Sequence, residues 1–312
     1  MQLYDRIMAE EHEVRAWESH QLRASSPDGN RAVWLLHDIV ADGPTWAERT
    51  VQVQLLAFER DGAIHAARAD YRWNDMTRLF RGPQIEGPSG RYEPGAAKGQ
   101  IADTAWDLVS AGGLPAIRHL PHDFLYATGR SNNKLVTPQP CLKVAGTLDL
   151  GKTRWELDGW VGARTHLWGP GVGARAGWLA CHRWSDDAQR ALEGFVGNTG
   201  LGELSVMVLE GPESAHWVRR GELVGSPPQE LRSSRGGYAL SARAERLVSL
   251  RTPAPGGDVH RRVSPFASVE LRSPRGTAVS QCGGLEFLEE QAPPAQAWPP
   301  EDYDGSALSA LI

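Results

Sequence analysis

The feature that most constrains this chain is a succession of short β-branched and aromatic runs cut apart by Gly and Pro. "AVWLLHDIV" (Ala32 to Val40) and "TVQVQLLAFER" (Thr50 to Arg60) are two such runs, bordered by the turn sequences "SSPDGN" and "RDG". "AIHAARADYRW" alternates and reads as a further strand. From Asn74 to Gly99 the text turns polar and reads as a long loop or lid, because Gly and Pro there interrupt a ladder. "QIADTAWDLVS" and "LPAIRHL" follow, then the linker-like "ATGRSNNKLVTPQP". A second set of runs begins at Cys141 and extends through "TRWELDGWVGARTHLW", "GWLACHRW" and "GELSVMVLEG" to "GGLEFLEE". Tyr238 to Thr252 alternates Leu with polar residues and is read as strand. "SDDAQRALEGF" is the best short-helix candidate, with Ser185 as its cap.

Many short strands with almost no helix define an all-β chain built from barrels or sandwiches. Two β-rich halves joined near Asn132 to Pro140 fit the length. The expected domains are residues 1–137 and 138–290, with a Pro-rich tail over 291–312. Of the 312 residues, 41% are apolar and 23% charged, enough to bury a large core. The formal charge of -5 argues against a nucleic-acid partner, which calls for a basic stripe. There is no run of 18 apolar residues and hence no transmembrane helix. The first residues lack the basic and apolar regions of a signal peptide. Three Cys, never spaced as CxxC, suit reduced thiols rather than a disulfide framework or structural zinc. These features together make a cytoplasmic location the expectation.

The densest stretch chemically is "LDGWVGARTHLWGPGVGARAGWLACHRWSD", Leu157 to Asp186, which holds Trp160, Trp168, Trp178 and Trp184. Residues two apart share a face of a strand. That register puts Glu156, Asp158, Trp160, Gly162, Arg164, His166 and Trp168 on one face. Leu157, Gly159, Val161, Ala163, Thr165 and Leu167 fall on the other, which suits ordinary packing. A solvated face rarely spends two Trp, and a dry core rarely accepts Arg, His and two acids. A semi-polar cavity or a domain interface tolerates both. Trp178, Ala180, His182 and Trp184 share a face of the next run, and a hairpin through "GPGVGARAG" would set the two faces side by side.

His166 is the best candidate for acid–base work, because an imidazole titrates near neutrality. Asp158 would orient it, and Trp160 and Trp168 would form an aromatic wall able to stabilise a cation. Arg164 could pair with a ligand carboxylate. Asn132 and Asn133 would line the mouth, although Asn also simply favours turns. "GVGARA" (Gly171 to Ala176) matches a loose dinucleotide fingerprint, but it leads into a strand and reads as a Gly-rich turn. "HLPH" offers His119 and His122, a pair without a third metal ligand and more ordinary as turn residues. No cofactor or metal is called for by any motif.

"RWELDGWVGARTHLWG" resembles the G-W-x-G-x-x-x-H-x-W-G region of lipocalin-like two-domain proteins. "NNKLVTPQPCLKVAGTLDL" is similar in order to the segment before that motif. "WESHQLRASSPDGNRAVWLLHDI" and "GGLEFLEE" resemble the family's opening and closing strands. The group includes tocopherol cyclase-like and carotenoid 1,2-hydratase-like proteins and fungal cyclases of Diels–Alder steps. The resemblance runs from about Trp17 to Glu289. It implies two calycin-type barrels or half-barrels and a pocket for a lipophilic molecule. It carries Gly162, His166, Trp168 and Gly169 over as motif positions, with Leu167 standing where relatives commonly have Asn. The implied function is binding of an isoprenoid, polyketide or lipid-like molecule. Its chemistry would be cofactor-free, acid-assisted cyclisation, hydration or isomerisation, with His166 as proton donor or acceptor. The alternative is a non-catalytic carrier.

Overall fold

The computed structural model describes residues 15–289 apart from 43–48, 61, 63, 79–84, 121, 123–125, 127–132, 170–174, 187–188, 199–202, 213, 220, 227 and 255–256. The tail over 291–312 and the "GPGVG" turn therefore lie outside the described residues, as does Asn132. What is described is almost entirely strand, in two antiparallel sheets.

The first sheet opens with a meander of β1 (Arg15–Ser25), β2 (Arg31–Asp42), β3 (Arg49–Glu59) and β4 (Ile64–Arg72). Four short strands follow: β5 (Thr77–Arg78), β6 (Ile85–Gly87), β7 (Gly90–Glu93) and β8 (Ala96–Ile101). Then come β9 (Thr104–Ala111), β10 (Ile117–Arg118) and two long strands, β11 (Lys134–Leu150) and β12 (Arg154–Gly169). The sheet order is β4-β3-β2-β1-β12-β11-β9-β8-β7-β6-β5, with β10 paired to β11. The chain's early strand β1 is thus zipped to the late strand β12, with His20 opposite His166 and Trp17 opposite Gly169.

The second sheet contains β13 (Arg175–Cys181), β14 (Ala191–Asn198), β15 (Glu203–Glu210), β16 (Ala215–Arg219) and β17 (Gly221–Val224). It continues with β18 (Glu230–Arg235), β19 (Tyr238–Arg243), β20 (Val248–Ala254), β21 (Gly257–Ser273) and β22 (Gly276–Glu289). Its order is β16-β15-β14-β13-β22-β21-β19-β18-β17, with β20 on β21.

Each sheet curls around its own apolar core. In the first, one cluster joins Val33 and Leu35 of β2 and Val51 of β3 to Tyr92, Trp106 and Leu148. His65 of β4 reaches Thr104 at the start of β9, at 2.6 Å, which draws the far parts of the sheet together. In the second, Leu179, Leu192, Met207, Leu240 and Phe287 fill the equivalent space. The two half-barrels then pack back to back. Trp34, Leu36 and Phe58 meet Val248, Val263 and Phe266, and Leu135 and Leu167 meet Trp178 and Ala180. This period-2 alternation, one face to a concave core and the other to the partner sheet, explains why β2 and β3 are apolar on both faces.

Charges are buried between the backs. The Arg23 guanidinium lies 4.0 Å from the Trp34 ring and 3.8 Å from the Trp178 ring, and it donates to Glu286 of β22. Arg261 pairs with Glu286 at 2.9 Å and stands 3.7 Å from Asp38. Such ions are tolerated because each has a partner of opposite sign.

Three expectations are corrected here. The described part of Asn74 to Gly99 is not a loop or lid but includes the short strands β5 to β8, with Gly87, Gly90 and Gly95 at or beside the turns between them. Gly90, at φ +126°, would drive a Cβ to 2.2 Å from the Lys98 carbonyl oxygen. The predicted helix "SDDAQRALEGF" is strand from Ala191 onward, because pairing with both β13 and β15 overrides local propensity. Ser185 does not cap a helix; its N–H and hydroxyl both donate to the Val279 carbonyl. Finally, the division between sheets falls between Gly169 and Arg175, not at Asn132 to Pro140, because β11 and β12 both belong to the first sheet. Tyr238 to Thr252 is strand as expected, interrupted between β19 and β20.

Candidate functional site

The concave face of the first sheet changes character toward the start of β1. On β1, Leu22 and Ala24 belong to the apolar core, whereas His20 and Glu18 follow on the same face, both buried. The β2–β1–β12 register sets His37, His20 and His166 side by side across three strands. The rings of His20 and His166 stack at 4.2 Å. Trp168 stacks on His166 from the next inward position of β12, at 4.5 Å. Tyr92 packs on His37 at 4.7 Å.

Glu18 holds the group together. Its Oε1 accepts from His20 Nε2 at 2.7 Å and from His166 Nε2 at 2.8 Å. Burial pushes the Glu18 carboxyl upward, but the two imidazole hydrogen bonds and their charge outweigh it and keep the carboxylate ionised well below the usual range. Burial lowers His166 to about 4, with the neighbouring His20 adding to the effect and Glu18 opposing it. At neutral pH His166 is therefore uncharged. Because its Nε2 donates to Glu18, its Nδ1 carries the lone pair. That nitrogen is buried and has no protein partner. His37 is lowered to about 3, by burial first and then by His20 and Arg164. Arg164 donates to the Tyr92 hydroxyl at 3.2 Å and to the Glu93 carbonyl. Its Nη2 has no partner.

Glu18, His20 and His166 place three ligand atoms within 4.8 Å of one another, the donor set of a two-histidine, one-carboxylate metal site. A ligating imidazole normally donates its second ring N–H to an acceptor. His166 Nδ1 has none. The set fits a hydrogen-bonded carboxylate–imidazole group better than an ion cage.

The other residues singled out from sequence are dispersed. Asp158 is exposed and is not the partner of His166. The reason is a bulge in β12: Val144 pairs with Trp160 but Gly146 pairs with Leu157, so an extra residue intervenes. Gly159, at φ +64°, occupies the irregularity. Trp155 and Leu157 point inward before it, and Trp160 and Arg164 after it. The carboxylates Glu156 and Asp158 consequently fall outside. Trp160 is in the apolar core, 6.0 Å from the Trp155 ring, away from the histidines. Asn133 is half-buried just before β11.

His182, Trp178 and Trp184 do not join His166. β12 and β13 lie in different sheets and do not form a hairpin. Trp178 meets Arg23 between the sheets. Trp184 donates its indole N–H to the Arg190 carbonyl at 2.9 Å. His182 donates to Glu193 Oε1 at 2.8 Å, and Thr137 donates to Oε2 at 2.6 Å. His119, expected in a turn, is buried 3.4 Å from the same carboxylate. This second cluster lies at the back of the first sheet, opposite to the His166 face.

Sequence reasoning missed Glu18, His20, His37, Tyr92 and Glu193. The signal for the first two was present, since "ESH" in a strand places Glu18 and His20 on one face. What it lacked was the register that brings β12 alongside.

No family model matches the chain, and no curated protein matches it. Several solved structures do share its fold. Kievitone hydratase from Nectria haematococca aligns with a TM-score of 0.59 at 9% identity, covering 90% of each chain. CghA with Sch210972 aligns at 0.59 and 13% identity, covering 89% of each. A Nitrosomonas europaea protein provisionally assigned as AttH aligns at 0.56 and 12% identity, covering 89% of this chain and 93% of its own. At such identities the likeness concerns the fold: two curled β-sheets, spanning nearly the whole of each molecule.

Proposed function

We infer that this protein binds an oxygenated lipophilic small molecule in the first half-barrel. We further infer that it moves a proton on that molecule without a cofactor, in a hydration, cyclisation or isomerisation. The observation that carries this reading is His166: a neutral imidazole, held through Nε2 by an ionised carboxylate, with an unpartnered Nδ1 on a face that leads into an apolar core. His166 Nδ1 takes the proton first. The imidazolium so formed is stabilised by Glu18, then returns the proton to a different atom of the same molecule; in a hydration the proton comes instead from a water whose oxygen bonds to the ligand, and His166 passes it to the ligand so that the whole water is added. Arg164 Nη2 holds the developing oxygen anion. Trp168, stacked on His166, restricts the ring and walls the ligand. A protein of the same fold bears the name kievitone hydratase, which agrees with this class of chemistry.

The test is incubation of purified protein with a lipid-soluble extract of its host, read by mass spectrometry for products and for bound molecules. The expected result is a compound consumed by wild type and bound but unconverted by His166→Gln. Retention of an unchanged molecule by both proteins would make it a carrier. Conversion unaffected by His166→Gln would refute the assignment.

A further inference from the structure

The back of the first sheet carries a second titratable cluster that the proposed reaction does not use, and it opens to solvent. Glu193 is fully buried and ionised: burial works against that, but the neighbouring His119 and the hydrogen-bonded His182 hold the carboxyl down to about 2. It fixes His182 through Nε2, so the imidazole presents its other edge outward. That edge borders a groove of about 460 Å3 between the two half-barrels, a volume within the roughly 300–1,000 Å3 of small-molecule sites. Lys143 of β11 and Arg183 beyond β13 line it from different half-barrels, the Arg183 guanidinium also donating to the Pro27 carbonyl, and Gln189, Cys141 and Trp184 complete the lining. Among the described residues no carboxylate lines the groove. Behind His182 a further cavity of about 20 Å3 reaches Arg23, room for about one water. Nε and Nη1 of Arg23 are buried there without a partner.

We propose that this inter-sheet groove is a second ligand site, which takes a small organic carboxylate between Lys143 and Arg183, with the His182 ring as part of its lining. Two cations from different half-barrels converge on one opening, a geometry that favours an anion over a neutral lipid. The apolar wall selects an anion with a hydrophobic body over inorganic phosphate. The site is separate from the His166 face, because the two lie on opposite sides of the first sheet.

The experiment is isothermal titration of the full chain with 2-naphthoate, using wild type, Lys143→Glu, Arg183→Gln and His166→Gln. Saturable one-site binding by wild type is expected. Lys143→Glu should weaken it by at least roughly tenfold, as loss of a charge-assisted contact does. Lys143 is exposed, so its reversal leaves the fold intact. Arg183→Gln should weaken binding similarly, and His166→Gln should leave it unchanged. Absence of saturation at millimolar naphthoate overturns the proposal, as does affinity unaltered by Lys143→Glu. Binding lost in His166→Gln but retained in Lys143→Glu also overturns it and assigns the naphthoate to the concave face of the first sheet.

Discussion

Lowering the pH from neutrality toward 4 should destabilise this protein in a way that one residue makes visible. His166 has an ordinary imidazole value of 6.5 when unfolded and is lowered to about 4 in the fold, chiefly by burial. A group whose folded value is depressed stabilises the native state above its unfolded value, and that stabilisation drains away as pH falls through the folded one. At about 1.4 kcal/mol per pH unit, the gap between 6.5 and about 4 corresponds to on the order of 3 kcal/mol. The assay is urea unfolding at half-unit pH steps, for wild type and His166→Gln. Wild type should lose that amount over the window in addition to whatever His37 contributes. The variant should show a curve shallower by the same amount, with an unchanged denaturant slope. Parallel curves for the two proteins would refute the claim that His166 is buried neutral, and with it the proposal that its Nδ1 is a ready proton acceptor.

Other consequences can be checked alongside. Glu18→Gln keeps the shape of the cluster but removes its charge, so conversion of the ligand should fall by roughly two orders of magnitude or more while retention, measured by mass spectrometry, persists. Glu18 is held below its ordinary value of 4.5, so its stabilisation is complete above that pH and lost as pH falls below it. Glu18→Gln should therefore flatten the acid limb below about 4.5, seen in the same urea series. Trp168→Ala should cost about 3–5 kcal/mol in denaturant midpoint, the range for a buried indole. Gly159→Val places a β-branched residue at φ +64° and should cost about 1–2 kcal/mol, with a larger value if the bulge is lost and β12 shifts register.

The fold was legible where alternation is strong. β2 and β3 are nearly continuous apolar runs, and the sequence pattern located both to within a residue or two. The β12 face was read correctly from Trp160 to Trp168, yet wrongly before Gly159. A bulge adds one residue to the count and reverses the sides, and a single Gly in a strand does not announce which residue is extra. The identity of His166 as the central imidazole could be proposed from its neighbours. Its carboxylate could not, because Glu18 lies in β1 and meets it only through the β1–β12 pairing. The nearest acid in sequence, Asp158, was the natural choice and points to solvent. His182 was placed beside His166 for a similar reason: short separation suggested a hairpin, whereas the chain changes sheets there.

The pairing of β1 with β12 also sets an order of events during synthesis. β1 to β4 can assemble as a meander of neighbouring hairpins while the rest of the chain is still being made. The free edge of β1 must then wait for Gly169, and the same interval repeats between β13 and β22. Long-range closures of this kind are slow, and an unpaired edge is open to other chains meanwhile. The Glu18–His166 contact cannot form before that closure. Appearance of the site thus coincides with completion of the first half-barrel, so ligand present in the cell could act on the last step of its folding.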